Sequence, residues 1–136
     1  MPETSQSNAA PAVIRSQPLE NGTHLEVIDA SRPLAADRWL VAAVFRLTIP
    51  VSESILAGGT AHLSLAEVRR RTGDTVVFEK RMERTFIAAK EKEALLEEMV
   101  GGYLSRNAGY LALPAFARNC VMRRYRDALK PTPGPR

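Results

Sequence analysis

Between Trp39 and Ile49 apolar residues fall on every second position: Trp39, Val41, Ala43, Phe45, Leu47 and Ile49. Successive side chains of a strand point to opposite faces, so this run specifies a β-strand with one wholly apolar face. Its opposite face carries Leu40, Ala42, Val44, Arg46 and Thr48, so the first half of the strand is apolar on both sides. A strand of that kind is either central in its sheet or covered on its second face by a loop or another protomer. Pro50 limits its continuation.

Thr23–Ile28 reads as a first strand with an exit through Asp29, Ser31 and Pro33. After a loop at Gly58-Gly59, residues 61–70 and 76–87 flank Thr72-Gly73-Asp74, which predicts a hairpin turning at Gly73. A helix over 65–71 is the alternative for its first arm. In the second arm Val76, Phe78, Met82 and Phe86 share a parity, which predicts that they face the core.

From Ala88 the period changes. Leu95, Leu96, Met99, Val100 and Tyr103 form one stripe of an amphipathic helix, with Glu91, Glu93, Glu97 and Glu98 early and Arg106 late, the order the helix dipole favours. Asn107 and Gly109 predict its end. Gly101-Gly102 inside it costs about 1 kcal/mol per residue relative to Ala, which suggests close approach of another backbone. A second helix is predicted from Pro114 to about Leu129, with Phe116, Ala117, Cys120, Val121, Tyr125 and Ala128 on one face.

Strands followed by helices, without βαβ alternation, predict an α+β fold: an antiparallel sheet of about four strands, in ββββαα order, with two C-terminal helices packed on one face. Residues 1–18 and 131–136 lack sustained periodicity and read as flexible tails around one domain of residues 19–130. The 136 residues suffice for a single core. Lone Cys120 excludes an intrachain disulfide, the polar start through Asn8 does not resemble a signal peptide, and no apolar run reaches the ~20 residues of a membrane span. A cytoplasmic protein without membrane insertion is the expectation.

His24, His62 and Cys120 have no metal-ligand spacing, and Gly58-Gly59-Thr60 lacks the lysine of a phosphate loop, so no metal, cofactor or catalytic residue is assigned. Cys120 lies on an apolar stripe, where a free cysteine is ordinarily a small core residue. Charge is more informative. The net formal charge is +4, and from Ala115 onward Arg118, Arg123, Arg124, Arg126, Lys130 and Arg136 face only Asp127, which accounts for the whole excess.

Two functions follow as expectations. The first is a non-enzymatic interaction or assembly module, joining a protein partner or a second copy through Leu40, Ala42 and Val44 or through the glycine-softened helix at Gly101 and Gly102. The alternative is binding of nucleic acid or another polyanion through Arg69, Arg70 and Arg71 with Arg118, Arg123, Arg124 and Arg126, Tyr125 being available for stacking. Against the second stands a bland account: cations late in a helix stabilise it through the dipole, and charge on an edge hairpin discourages aggregation.

Overall fold

The computed structural model describes residues 11–57 and 63–130. Residues 1–10 and 131–136 of the expected tails, the Gly58-Gly59 loop and His62 lie outside them. The fold is α+β, an antiparallel five-stranded sheet with C-terminal helices, as the pattern predicts. Its strands are β1 (Ala12–Pro18), β2 (His24–Asp29), β3 (Arg32–Ala35), β4 (Arg38–Pro50) and β5 (Thr75–Ala88). Its helices are α1 (Glu53–Leu56), α2 (Leu65–Thr72), α3 (Lys92–Leu111) and α4 (Pro114–Leu129), with a 3-10 turn at Ala89–Glu91. No described helix is long and apolar enough to cross a membrane.

The chain divides into two compact units. One comprises residues up to Gln17, Leu25–Leu47 and Glu79–Ala108; the other comprises Pro18–His24, Thr48–Phe78 and the residues from Gly109 onward.

In the first unit β4 is the central strand, with β2 and β3 pairing to it and β5 also its neighbour. Arg32 pairs with Leu40 and Pro33 with Trp39, and Ala30 N–H donates to Ala42 O in the same register, so β3 prolongs β2 along one edge of β4. Ser31 breaks the ladder between them. Its N–H turns to the Asp29 carboxylate, and its hydroxyl accepts the Ala42 N–H at 3.0 Å. Both faces of its first half are covered, which accounts for the two-sided apolar run: Leu40, Val41, Ala42, Ala43, Val44 and Phe45 are all buried. Helix α3 lays Leu96, Met99, Val100 and Tyr103 inward, the Phe45 and Tyr103 rings lie 4.1 Å apart, and the Lys92 ammonium sits 4.6 Å over Trp39. Each such large side chain contributes roughly 1.5–3 kcal/mol on full burial.

Several expectations are corrected here. Residues 12–18, assigned to a tail, form β1, an edge strand on β2 whose residues are all exposed. Its apolar Val13 and Ile14 are adjacent in sequence, so no period revealed it. Helix α3 does not stop at Asn107 or Gly109, because the Asn107 amide donates back to Tyr103 O within the helix. The end comes at Leu111, just before the extended Leu113 that Pro114 enforces. No described backbone approaches the glycines: a Cβ at Gly101 would meet nothing within 4 Å, and one at Gly102 would meet only the Arg106 guanidinium group.

Phe86 is the sharpest departure. It is 68% exposed, with φ of 62°, rather than in the core. Between the cross-strand pair Arg46–Glu79 and the hydrogen bond from Ala89 N–H to Asp37 O, β5 spends one residue more than β4. That surplus is a β-bulge at Phe86, which reverses the parity and turns Ile87 partly inward instead.

In the second unit the expected hairpin is absent, because its first arm is helix α2. Ser64 Oγ accepts the Glu67 N–H at 3.1 Å, and Gly73, with φ of 88°, ends the helix by donating to Arg69 O. Such a left-handed position favours glycine. Asn21 fixes the junction between α3 and α4: its amide donates to both Leu111 O and Leu113 O at 2.9 Å, while its carbonyl accepts from the buried Thr23 hydroxyl at 2.6 Å. Tyr110 and Phe116 are thereby held on either side of a fixed turn.

Candidate anion-binding pocket

The placement of α4 follows from its sequence. Ala117, Val121 and Tyr125 recur every fourth residue, are buried, and belong to a helix that packs on α1 and α2. Tyr125 Oη donates to Glu67 Oε2 of α2 at 3.2 Å. Two residues along a helix is a rotation of about 200°, so Asn119 and Arg123 are turned away from α2. The single apolar face expected for α4 is thus two faces: Phe116 and Cys120 belong to the outward one.

That outward face closes a pocket of about 580 Å³ with Val76, Val77 and Phe78 of β5 and Tyr110 of α3. Its apolar wall is a chain of three rings. Phe116 meets Phe78 edge-on at 5.2 Å and Tyr110 at 5.0 Å, and Tyr110 remains 58% exposed. Around this wall stand Asn119, Arg123, Arg124, Arg126 and Asp127.

The two arginine clusters have different fates. On α2, Arg69 is paired with Asp74 at 2.8 Å, and Arg70 and Arg71 both engage Glu67. Arg118 donates to Ala57 O at 3.2 Å. Arg123, Arg124 and Arg126 have no acidic partner among the described residues, while Asp127 beside them is engaged by Lys130 at 3.4 Å. The pocket is therefore cationic on balance. Because α2 packs on the Val121 and Tyr125 side of α4, its three arginines do not join Arg123 on one face.

Titration behaviour separates the two sides of α4. The hydrogen bond from Arg70 lowers the Glu67 pKa; burial opposes this, and the Arg70 and Arg71 charges and the Tyr125 hydroxyl reinforce it. Burial, followed by the hydrogen bond to Glu67, raises the Tyr125 pKa. In the pocket, burial raises the Cys120 thiol and the Arg123 charge only partly offsets it. Cys120 is therefore a protonated thiol at neutral pH, unlike the thiolate that nucleophilic chemistry uses.

Of the residues expected to form an interaction surface, Leu40, Ala42 and Val44 are buried within the chain. Their side chains are therefore not surface on which a partner could rest. Gly101 is exposed and Gly102 half-buried on α3. Tyr125 is not available for stacking, because it is 7% exposed and bonded to Glu67. The ring that is available, Tyr110, carries no mark in the sequence, which predicts Phe78 in the core and Phe116 on the apolar face of α4. The overlooked signal is the spacing Phe116, Cys120, Arg123, Asp127, a helical face that runs from apolar to charged.

Three guanidinium groups beside an aromatic wall can bind an anion through charge-assisted, bidentate hydrogen bonds while an apolar part of the ligand covers the rings. The described residues hold no group of three His, Cys, Asp or Glu side chains suited to a metal ion. The chain matches no protein-family profile, no curated protein and no solved structure.

Proposed function

We propose that this chain is a non-enzymatic binding module for a polyanion, which it holds in the pocket between α4 and β5. One observation carries the reading: Arg123, Arg124 and Arg126 converge on an aromatic-walled pocket without an acidic partner among the described residues, whereas Arg69, Arg70 and Arg71 are each paired. A helix cation that only served the dipole or solubility would have no reason to border a concave apolar surface. Burial keeps the Cys120 thiol protonated, and the Glu67–Tyr125 pair does not line the pocket, which favours binding over catalysis.

The test is fluorescence anisotropy against a labelled oligonucleotide over a salt series. If three phosphates are neutralised, log K falls against log salt with a slope of about −2 for a single strand, so affinity drops roughly 20-fold between 50 and 200 mM salt. The double substitution Arg123→Glu with Arg124→Glu abolishes binding, and Arg69→Ala, whose cation is already paired, leaves it within about twofold. Affinity that is indifferent to the double substitution, or flat with salt, overturns the proposal.

A further inference from the structure

We infer that the polyanion is single-stranded nucleic acid, with a base stacked on Tyr110 and successive phosphates on Arg123, Arg124 and Arg126. This rests on the polyanion reading above and adds to it the identity of the ligand. Tyr110 is more than half exposed yet held against Phe116 at 5.0 Å, and Phe116 is held in turn by Phe78. An exposed ring fixed from behind is a stacking platform, since every base offers a π-face and stacking needs no particular sequence.

The cations are placed to follow a strand. Arg123 and Arg126 are three residues apart, about 4.5 Å of rise along the helix. Both line the same pocket from successive positions along α4, so neighbouring phosphates of a strand can each meet one. Asn119 on the same face offers an amide donor and acceptor, the pair of functions that a base edge requires.

Competing polyanions use less of this surface. In a duplex the bases are stacked on each other inside the helix, and only the phosphates reach the arginines. Polyphosphate and acidic peptides satisfy the arginines and leave the rings in water. A pocket of about 580 Å³ lies within the usual size range of small-ligand sites, which suits one or two splayed bases with the phosphates running along its arginine rim, and not a duplex.

The experiment uses the whole chain and four probes: a labelled ten-nucleotide oligothymidine, a ten-base-pair duplex, and inorganic polyphosphate and polyglutamate as competitors. Expected are at least tenfold tighter binding of the oligothymidine than of the duplex, weakening of about tenfold by Tyr110→Ala, near-normal binding by Tyr110→Phe, and polyphosphate competition that Tyr110→Ala does not change. A photoreactive uracil in the oligonucleotide crosslinks to Tyr110 in the unsubstituted protein, a readout that does not depend on the variant folding. Equal affinity for duplex, polyphosphate or polyglutamate, or indifference to Tyr110→Ala with no crosslink at Tyr110, overturns the inference. If Arg123→Glu with Arg124→Glu still abolishes binding in that case, polyanion binding stands and only the ligand identity falls. If no probe binds at low salt, both fall.

Discussion

Replacing Phe86 by asparagine and, separately, by valine distinguishes the bulge from the regular strand that parity predicts. In the bulge Phe86 sits at φ of 62°, a region that costs an L-residue about 1–2 kcal/mol and that asparagine enters far more readily. Its side chain is 68% exposed, so only about a third of the roughly 1.5–3 kcal/mol available from burying phenylalanine is at stake. Relief of strain then offsets the lost burial for asparagine, and Phe86→Asn is expected to lie within about 0.5 kcal/mol of the parent. Valine loses the same burial and, being β-branched, fits the left-handed region worse still, so Phe86→Val destabilises by about 1–2 kcal/mol.

A regular, core-facing Phe86 gives the reverse order. Asparagine would then empty a buried aromatic site and leave a polar amide in it, at a cost of roughly 3 kcal/mol or more, while β-branched valine would be the milder change. Urea unfolding followed by far-UV circular dichroism reads the order directly. With a urea slope of about 2 kcal/mol per molar, the expected separation of the two variants is a midpoint difference of roughly 0.5–1 M in favour of asparagine, at unchanged slope. A midpoint for valine above that for asparagine refutes the bulge.

Two further predictions concern the helix that shapes the opposite side of α4. Ser64→Ala removes the side-chain acceptor of the Glu67 N–H and is expected to cost about 1 kcal/mol in the same urea assay, with Ser64→Asp retaining most of the stability. Because Glu67 is held ionised by Arg70 and Arg71, its contribution is present above the ordinary carboxylate range and is lost as pH falls through its own depressed pKa. Because the Tyr125 phenol is favoured, its contribution is present below about pH 10 and is lost as pH rises from there through its elevated pKa. Stability measured against pH should therefore show the Glu67→Gln deficit closing on the acid side, and the Tyr125→Phe difference changing on the alkaline side and, because the Tyr125 hydroxyl also helps lower the Glu67 pKa, on the acid side as Glu67 protonates.

The sequence by itself determined the central strand, the switch of period at Ala88 and the helix from Pro114 to Leu129, because each rests on regular burial along one element. A strand whose two faces are both buried must be apolar on both, and a helix against a sheet must carry a stripe, whatever else the chain does. The helix over 65–71 stands in the sequence only as the alternative to a hairpin arm, and the Ser64 cap on the Glu67 N–H belongs to the helix that forms. What lay beyond the sequence depended on which neighbour each side chain met. Phe86 changed sides because β5 carries one residue more than its partner strand, a register fact that no single-strand pattern contains.

The pocket was decided in the same way. Seven arginines stood as equal candidates along the chain, and only the fold separated them: the α2 acid Glu67 lies within reach of Arg70 and Arg71, Asp74 takes Arg69, and Ala57 O takes Arg118. Arg123, Arg124 and Arg126 have no acidic partner among the described residues, while Val121 and Tyr125 commit the other side of α4 to α2. Charge is a property of composition. Whether a cation is neutralised, and what surface it borders, is a property of tertiary contacts between residues distant in the chain.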